Sequence, residues 1–402
     1  MHGLSDHCVV VLSIDEQNWG PRPCRMLKCW AYVSGYKDFV REKWRSFQVE
    51  GWGGFVMKEK LKMIKTALRE WHQNHTINIP SKISKLKERI FVLDEKGEVS
   101  SLREEEVEEL HGLSKELHSL SRIHSSISWQ QYRLNWLQKG NANSKYFHGT
   151  LSGRRRVDAI SVINVEGVVS EGVSNVREAV FNHFTEHFAA PNVVRPRALD
   201  LNFRLLSYRE GAELVKPFTL DEVKIAVWDC ESYKSPSPDG VNFGFIKDFW
   251  EDMKVEILRF VTDFHQNGKL SKGINNTFIT LIPKKDCPQS LNDFRPISLV
   301  GSLYKVLAKL LANRLQNVIG SVFSYTQSAF VKGRQILDGI LIVNEAKNLK
   351  KYLLLFKVDF EKAYDSVDWN YLDDVMKKMA FATLWRKMDE GLCNYGFCGG
   401  FS

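Results

Sequence analysis

The chain has 402 residues, enough for two to three units of about 150 residues, which excludes a small scaffold held by disulfides. Hydrophobic residues make up 44% and charged residues 26%, with 26 Gly and 11 Pro, a balance that excludes a wholly disordered or collagen-like chain. Lys and Arg outnumber Asp and Glu by 56 to 48, and the net charge of +8 permits a polyanionic partner without requiring one. The seven cysteines are scattered, with no Cys-x-x-Cys pair. Neither a disulfide framework nor a zinc module is therefore expected, and a reducing compartment, nucleus or cytoplasm, fits. No apolar run reaches the ~18 residues of a membrane span, and residues 1–14 lack the basic flank of a secretion signal, so neither a membrane partner nor export is expected.

Residues 1–35 open with Ser5-Asp6-His7 and a strand-like run, Cys8-Val9-Val10-Val11-Leu12, before a proline-containing stretch. A segment this short cannot close a core, so it is an appendage or the last strand of a preceding domain. From residue 36 to about 140 the pattern is helical. Ile83, Leu86, Ile90 and Leu93, then Leu110, Leu113, Leu117, Leu120 and Ile127, recur three and four apart. With Gly97 expected as the turn, these seams predict an antiparallel helical hairpin, and the acidic run at 104–109 reads as its solvated face. Between 129 and 158, Trp129, Tyr132, Trp136, Tyr146 and Phe147 alternate with Arg133, Lys139, Lys145 and the triplet Arg154, Arg155, Arg156. Cations pair with phosphates and rings stack on bases, so this stretch is a candidate nucleic-acid contact. The helical spacing of Trp129, Tyr132 and Trp136 suits core residues equally well.

Strands are expected near 159–163 and 167–169. A helix near 221–230 then opens a last unit whose order of helix, strand, turn, long helix, strand and helix reads as α+β or α/β. Ser235-Pro236-Ser237-Pro238-Asp239-Gly240 is turn chemistry. The run Ile279-Thr280-Leu281-Ile282 ends in Lys284 and Lys285, and Arg295 stands just before Pro296. Lys284 and Arg295 could both face a triphosphate, Arg through its planar fork and Lys as a point charge. Leu303, Val306, Leu307, Leu310, Leu311 and Leu315 predict a core helix with Lys305, Lys309 and Arg314 solvated. Gln327 and Arg334 flank a glycine-containing turn before a further helix. Asp359 ends the apolar run Leu353-Leu354-Leu355-Phe356, where a carboxylate either holds Mg2+ or caps the next turn. Residues 369–381 predict an amphipathic helix with Asp368 as its N-cap.

The order of these pieces resembles the reverse transcriptase of plant non-LTR retrotransposons, the long interspersed elements, from Ser5 to about Arg386. The resemblance implies an α+β fold: the fingers and part of the palm of a right-hand polymerase at 219–402. A mixed connecting region at 146–218, a helical linker at 36–145, and the last strand of an endonuclease/exonuclease/phosphatase-like domain at 1–35 precede it. It implies that Asp359 is a palm aspartate binding Mg2+, that the Phe360 carbonyl helps hold the same metal, and that Tyr364 excludes a ribose 2′-hydroxyl. Lys284 and Arg295 match residues that grip the incoming deoxynucleotide triphosphate, and Gln327 and Arg334 match a block on the substrate side. Asp6 and His7 match an endonuclease motif. Template RNA and a DNA primer or target are the implied partners.

Tyr371-Leu372-Asp373-Asp374 has the form of a polymerase carboxylate pair. It lies 14 residues of mostly helix beyond Asp359, about 20 Å away, and is expected to be helix surface rather than a metal ligand. The family has Gly where this chain has Ser237. Its second palm carboxylates and its thumb do not follow, and residues 388–402 depart from its pattern. The expectation is an internal polyprotein fragment that is inactive alone. The alternatives are a non-catalytic nucleic-acid-binding remnant and a functionless retroelement relic.

Overall fold

The computed structural model describes residues 25–76, 78–132, 160, 162–165, 167–187, 201–232, 234, 237–323, 327, 331, 333–348 and 367–393. A 3-10 turn at Lys28–Tyr32 leads into α1 (Tyr36–Ser46) and α2 (Gly53–Thr76). α1 carries Tyr36, Val40 and Trp44 four residues apart, and this spacing turns all three inward. α3 (Ile79–Val99) and α4 (Glu104–Tyr132) form the antiparallel hairpin that the two apolar seams predict. Arg89 to Glu109 at 2.8 Å and Lys96 to Glu106 at 2.5 Å tie the two helices together.

Two details of that hairpin differ from expectation. Gly97 lies inside α3, and the helix ends at Ser100, whose backbone is extended. The hydrogen-bonding ladder tolerates a late glycine, so the break falls where the chain leaves helical angles. The acidic run is also more than a solvated face. Glu106 accepts hydrogen bonds from Lys96 Nζ, the Arg103 amide and the Arg103 guanidinium, and these hold its carboxyl down to about 2.

β1 (Val162–Val165) and β2 (Val168–Glu171) pair antiparallel, the chain reversing through Gly167 at φ +88°, which a side-chain-bearing residue adopts only at a cost. α5 (Val173–His187) packs on this ribbon. α6 (Tyr208–Val215) and α7 (Leu220–Trp228) each begin with a reciprocal cap, Ser207 with Glu210 and Thr219 with Glu222. α8 (Phe243–Asp248) and α9 (Trp250–Asn267) follow. β3 (Thr277–Pro283) and β4 (Phe294–Val300) pair antiparallel in a register running from Thr277 opposite Val300 to Pro283 opposite Phe294. α10 (Ser302–Val322), α11 (Ile336–Asn348), α12 (Trp369–Lys378) and α13 (Thr383–Cys393) complete the order. Asp368 caps α12 as expected, accepting from the Tyr371 amide at 2.8 Å. Among the described residues the architecture is mixed, helices with two separate two-stranded antiparallel sheets.

One core unites the two ends of the chain. Trp30, Tyr36, Trp44 and Leu68 bury together with Phe249, Phe260, Leu307 and Trp385. α2 lies hard against α9: a Cβ on Gly53 would sit 2.7 Å from the Phe260 nitrogen, and the Gly53 amide donates to Asp263 Oδ2 at 2.7 Å. Lys60 of α2 pairs with Glu256, to which Trp44 Nε1 also donates, at 2.8 Å. Part of the stretch expected to depart from the family's pattern is nevertheless folded, since Met388 and Leu392 of α13 lie in the core beside Trp385. Their three- and four-residue spacing continues a single buried face.

Candidate functional site on the strand hairpin

The alternation of β3 and β4 gives the ribbon two unlike faces. Leu281 and Phe294, with Leu291 of the connecting turn, pack against Ile163, Val176 and Phe184 of the β1–β2 and α5 unit. Thr280, Ile282, Arg295 and Ile297 stand on the opposite, open face. Ile282 lies directly across from Arg295, so Lys284, two residues beyond Ile282, is the diagonal neighbour of Arg295 at about 7–8 Å between backbones. The structure therefore brings the two cations singled out in the sequence to one end of one face.

The turn between the strands separates Lys284 from Lys285. Lys284 donates its amide to the Asp293 carbonyl at 2.8 Å and its Nζ to the Asn292 carbonyl at 3.0 Å. Both partners are uncharged carbonyls, and Lys284 has no carboxylate partner among the described residues. Lys285 pairs with Asp293 Oδ1 at 2.9 Å, and Asp293 Oδ2 accepts from the Gln289 and Ser290 amides at 2.9 Å each. The Lys285 bond first, and the two amides after it, hold the Asp293 carboxyl well below the usual carboxylate range. Arg295 is exposed and has no carboxylate partner among the described residues.

At the other end of the ribbon, the 237–240 turn grips the junction of β4 with α10. Ser237 Oγ donates to the Val300 carbonyl, and Lys305 Nζ donates to Ser237 Oγ at 3.4 Å. Asp239 Oδ2 accepts from the Ser302 amide at 2.5 Å, so a distant carboxylate caps the N-terminus of α10. Ser237 takes no left-handed backbone angle, whereas Gly240 does, at φ +73°. Serine in place of the resembling family's glycine thus fits the turn and adds a hydrogen bond.

Three cations expected in solvent are placed otherwise. Lys305 is half-buried, and burial pulls its ammonium below the ordinary value. Lys309 pairs with Asp229 at 3.4 Å. Arg314 is buried at 6% exposure, where it donates to both carboxylate oxygens of Glu222 at 2.9 and 3.0 Å and to the carbonyls of Leu214, Lys216 and Pro217. Its guanidinium also lies 3.7 Å from the Phe218 ring centre. The helical seam Leu307, Leu310, Leu311, Val318 passes through position 314 and could have signalled that burial. The roles of Asp239 and Ser237 had no comparable sequence signal, since they depend on a turn meeting a helix more than 60 residues away.

Arg334 closes its own loop, donating to the carbonyls of Gln327 at 2.7 Å and Phe323 at 3.4 Å. Asp373 of the Tyr-x-Asp-Asp string accepts two hydrogen bonds from Arg386, at 2.7 and 2.6 Å, and so ties α12 to α13 as a helix surface. Asp359, Phe360, Tyr364, Asp6, His7, Arg133, Lys139, Lys145, Arg154, Arg155 and Arg156 lie outside the described residues, as does Trp136 and as do the side chains of Trp129 and Tyr132. Among the described residues no group of three or more His, Cys, Asp or Glu could hold a metal ion. None of the helices is long and apolar enough to cross a membrane among those residues.

Residues 282–394, from the end of β3 through α13, match the reverse transcriptase (RNA-dependent DNA polymerase) family. Over 257 residues the chain is 27% identical to the transposon TX1 149 kDa protein of Xenopus laevis, covering 62% of this chain and 20% of that protein. Over 228 residues it is 25% identical to the retrovirus-related Pol polyprotein from type-1 retrotransposable element R1 of Bradysia coprophila, covering 54% of this chain and 21% of that one. The chain carries a reverse transcriptase domain of the kind found in retrotransposon polyproteins. It spans about a fifth of the length of the curated relatives it matches. The family match runs past Arg386 to residue 394, in agreement with the buried face of α13.

Proposed function

We propose that the β3–β4 ribbon is the nucleotide-gripping finger of an RNA-directed DNA polymerase, with Lys284 and Arg295 on the phosphates of an incoming deoxynucleotide. The observation that carries this is their shared position on the open face of the ribbon, inside the segment that matches the reverse transcriptase family. Two cations with no carboxylate partner among the described residues suit the charge that spreads over a transferring phosphoryl group. Asp359 would hold Mg2+, which organises the triphosphate and lowers the cost of its charge. Phe360 and Tyr364 complete the nucleotide site in this reading, Gln327 and Arg334 border it, and template RNA and a DNA primer are the polymer substrates. The assignment of residues 1–35, with Asp6 and His7, to an endonuclease remnant, of 36–145 to a linker and 146–218 to a connecting region, and the affinity with plant long interspersed elements, belong to the same proposal.

The test is equilibrium binding of a fluorescent deoxynucleotide triphosphate to the full chain. Arg295→Ala and Lys284→Ala are each expected to weaken binding about tenfold or more, the worth of one charge-assisted hydrogen bond. Lys285→Ala is expected to leave binding unchanged, because its ammonium is already engaged by Asp293. Equal effects of all three substitutions would overturn the assignment. Any extension of a primer on an RNA template is expected to vanish in Asp359→Ala.

A further inference from the structure

We propose that a cleft at the opposite end of the ribbon, between α2 and the start of α10, binds the phosphate backbone of a single-stranded nucleic acid. The proposal rests on the polymerase reading above and extends it to the helices that precede the matched segment. The cleft has a volume of about 300 Å³ and is bordered by Lys58, Lys62, Lys65, Asp239, Asn276 and Gly301. That is the lower end of the range for ligand sites, but such sites are usually lined by apolar and aromatic groups. Here the floor is partly apolar, with Leu61, Ile274 and Leu303, but three ammonium groups and the Asn276 amide stand at its border against two carboxylates, and that excess of positive charge favours an anion.

The three lysines follow one another at four- and three-residue steps and so share one face of α2. Lys58 is held in place by donating to the Lys272 carbonyl at 3.0 Å. Two carboxylates, Glu59 and Asp239, also border the cleft and offset part of the charge, leaving the three lysines in excess. Glu59 is shared between Lys58 at 3.4 Å and Lys62 at 3.6 Å, longer than the 2.7–2.9 Å of a strong charge-assisted bond. Asp239 is occupied by the amides of Ser302 and Val241. Lys65 has no carboxylate partner among the described residues. The positive end of α10, a helix of 21 residues, also reaches the rim, where Asp239 already caps it, so the lysines are the charge left for a ligand.

A polymer suits the site better than a free anion because of what lies beyond it. Asn276 immediately precedes β3, whose 7 residues carry the chain about 23 Å to the Lys284 and Arg295 end. That distance is about seven steps of a stacked strand at ~3.4 Å each. A single strand laid along the ribbon would meet cations at both ends.

The experiment is fluorescence anisotropy of a fluorescein-labelled single-stranded RNA with the full chain, over a range of salt concentrations. The triple variant Lys58→Gln, Lys62→Gln, Lys65→Gln is expected to bind at least about tenfold more weakly, with a plot of log affinity against log salt shallower by about 2, three phosphate contacts at ~0.7 each. The matched variant Lys82→Gln, Lys85→Gln, Lys87→Gln removes the same charge from exposed positions on α3 and is expected to keep the wild-type slope. Equal weakening by both triples, or wild-type binding by the cleft triple, overturns the cleft while leaving the polymerase reading intact. No RNA binding by the unaltered chain overturns both. Should the triple variant melt early, Asn276→Asp places a carboxylate on an exposed loop at the same cleft. It must also weaken binding, and unchanged affinity in a folded Asn276→Asp protein overturns the proposal.

Discussion

Arg314 shows how a charge can be made part of a core. Its helix is otherwise apolar on the buried side, and the guanidinium meets the carboxylate of Glu222, three carbonyls at the end of α6 and the Phe218 ring. Those carbonyls belong to the link from α6 to α7, so one side chain fixes the angle at which α7 enters. Burial would raise the Glu222 carboxyl, but the Arg314 hydrogen bond, with the Thr219 amide and hydroxyl, outweighs it and holds the group below its ordinary 4.5. A carboxylate depressed in the folded state contributes stability that is present above about 4.5 and fades as pH falls through the folded value. Arg314→Met leaves Glu222 with only its Thr219 donors and three carbonyls without the guanidinium, and is expected to cost about 3 kcal/mol at pH 7. Urea titrations should show that gap narrowing toward pH 3, and a gap independent of pH would remove the ion pair as its cause. Residue type alone placed Arg314 in solvent, since an arginine is rarely buried without a partner, and the partner lies 92 positions earlier.

The α3–α4 hairpin was legible from sequence because its seams repeat at the helical period and each covers the other. Its turn was misplaced because a glycine near a helix end is a weak stop. Neither the register of β3 against β4 nor the approach of α13 to α9 could be read, since both depend on partners distant in sequence. The second of these is close. A Cβ on Gly391 would run into the Gly268 carbonyl, and Gly268 itself takes φ +62° at the end of α9. Gly391→Ala is therefore expected to destabilise the chain by about 3 kcal/mol, at the upper end of overpacking costs because backbone cannot step aside as a side chain can. Gly112, inside α4 with nothing within 4 Å of an added Cβ, provides the contrast. Gly112→Ala is expected to stabilise by about 0.5–1 kcal/mol through helix propensity. Thermal melts of the two variants should move in opposite directions.

Across the whole chain, the family segment was legible as an order of motifs, while the candidate site needed the fold. Lys284 and Arg295 were visible by type, but only the pairing of Ile282 with Arg295 puts them on one face. Asp359 and its neighbours, to which the family resemblance gives the metal and nucleotide roles, lie outside the described residues. The helices at the front of the chain read as a linker by pattern alone, because an amphipathic face does not announce what it covers. They share their buried face with α9, α10 and α13, through Trp44, Leu61 and Leu68 on one side and Phe260, Leu307 and Trp385 on the other. Covalent continuity is then not what keeps the two parts together. Co-expressed as separate polypeptides divided between residues 132 and 160, with an affinity tag on only one, the halves are expected to copurify in equal amounts. Trp44→Ala, which removes a ring and its bond to Glu256, should weaken their association. Recovery of the tagged half alone would mean that the common core forms only when the peptide chain enforces it.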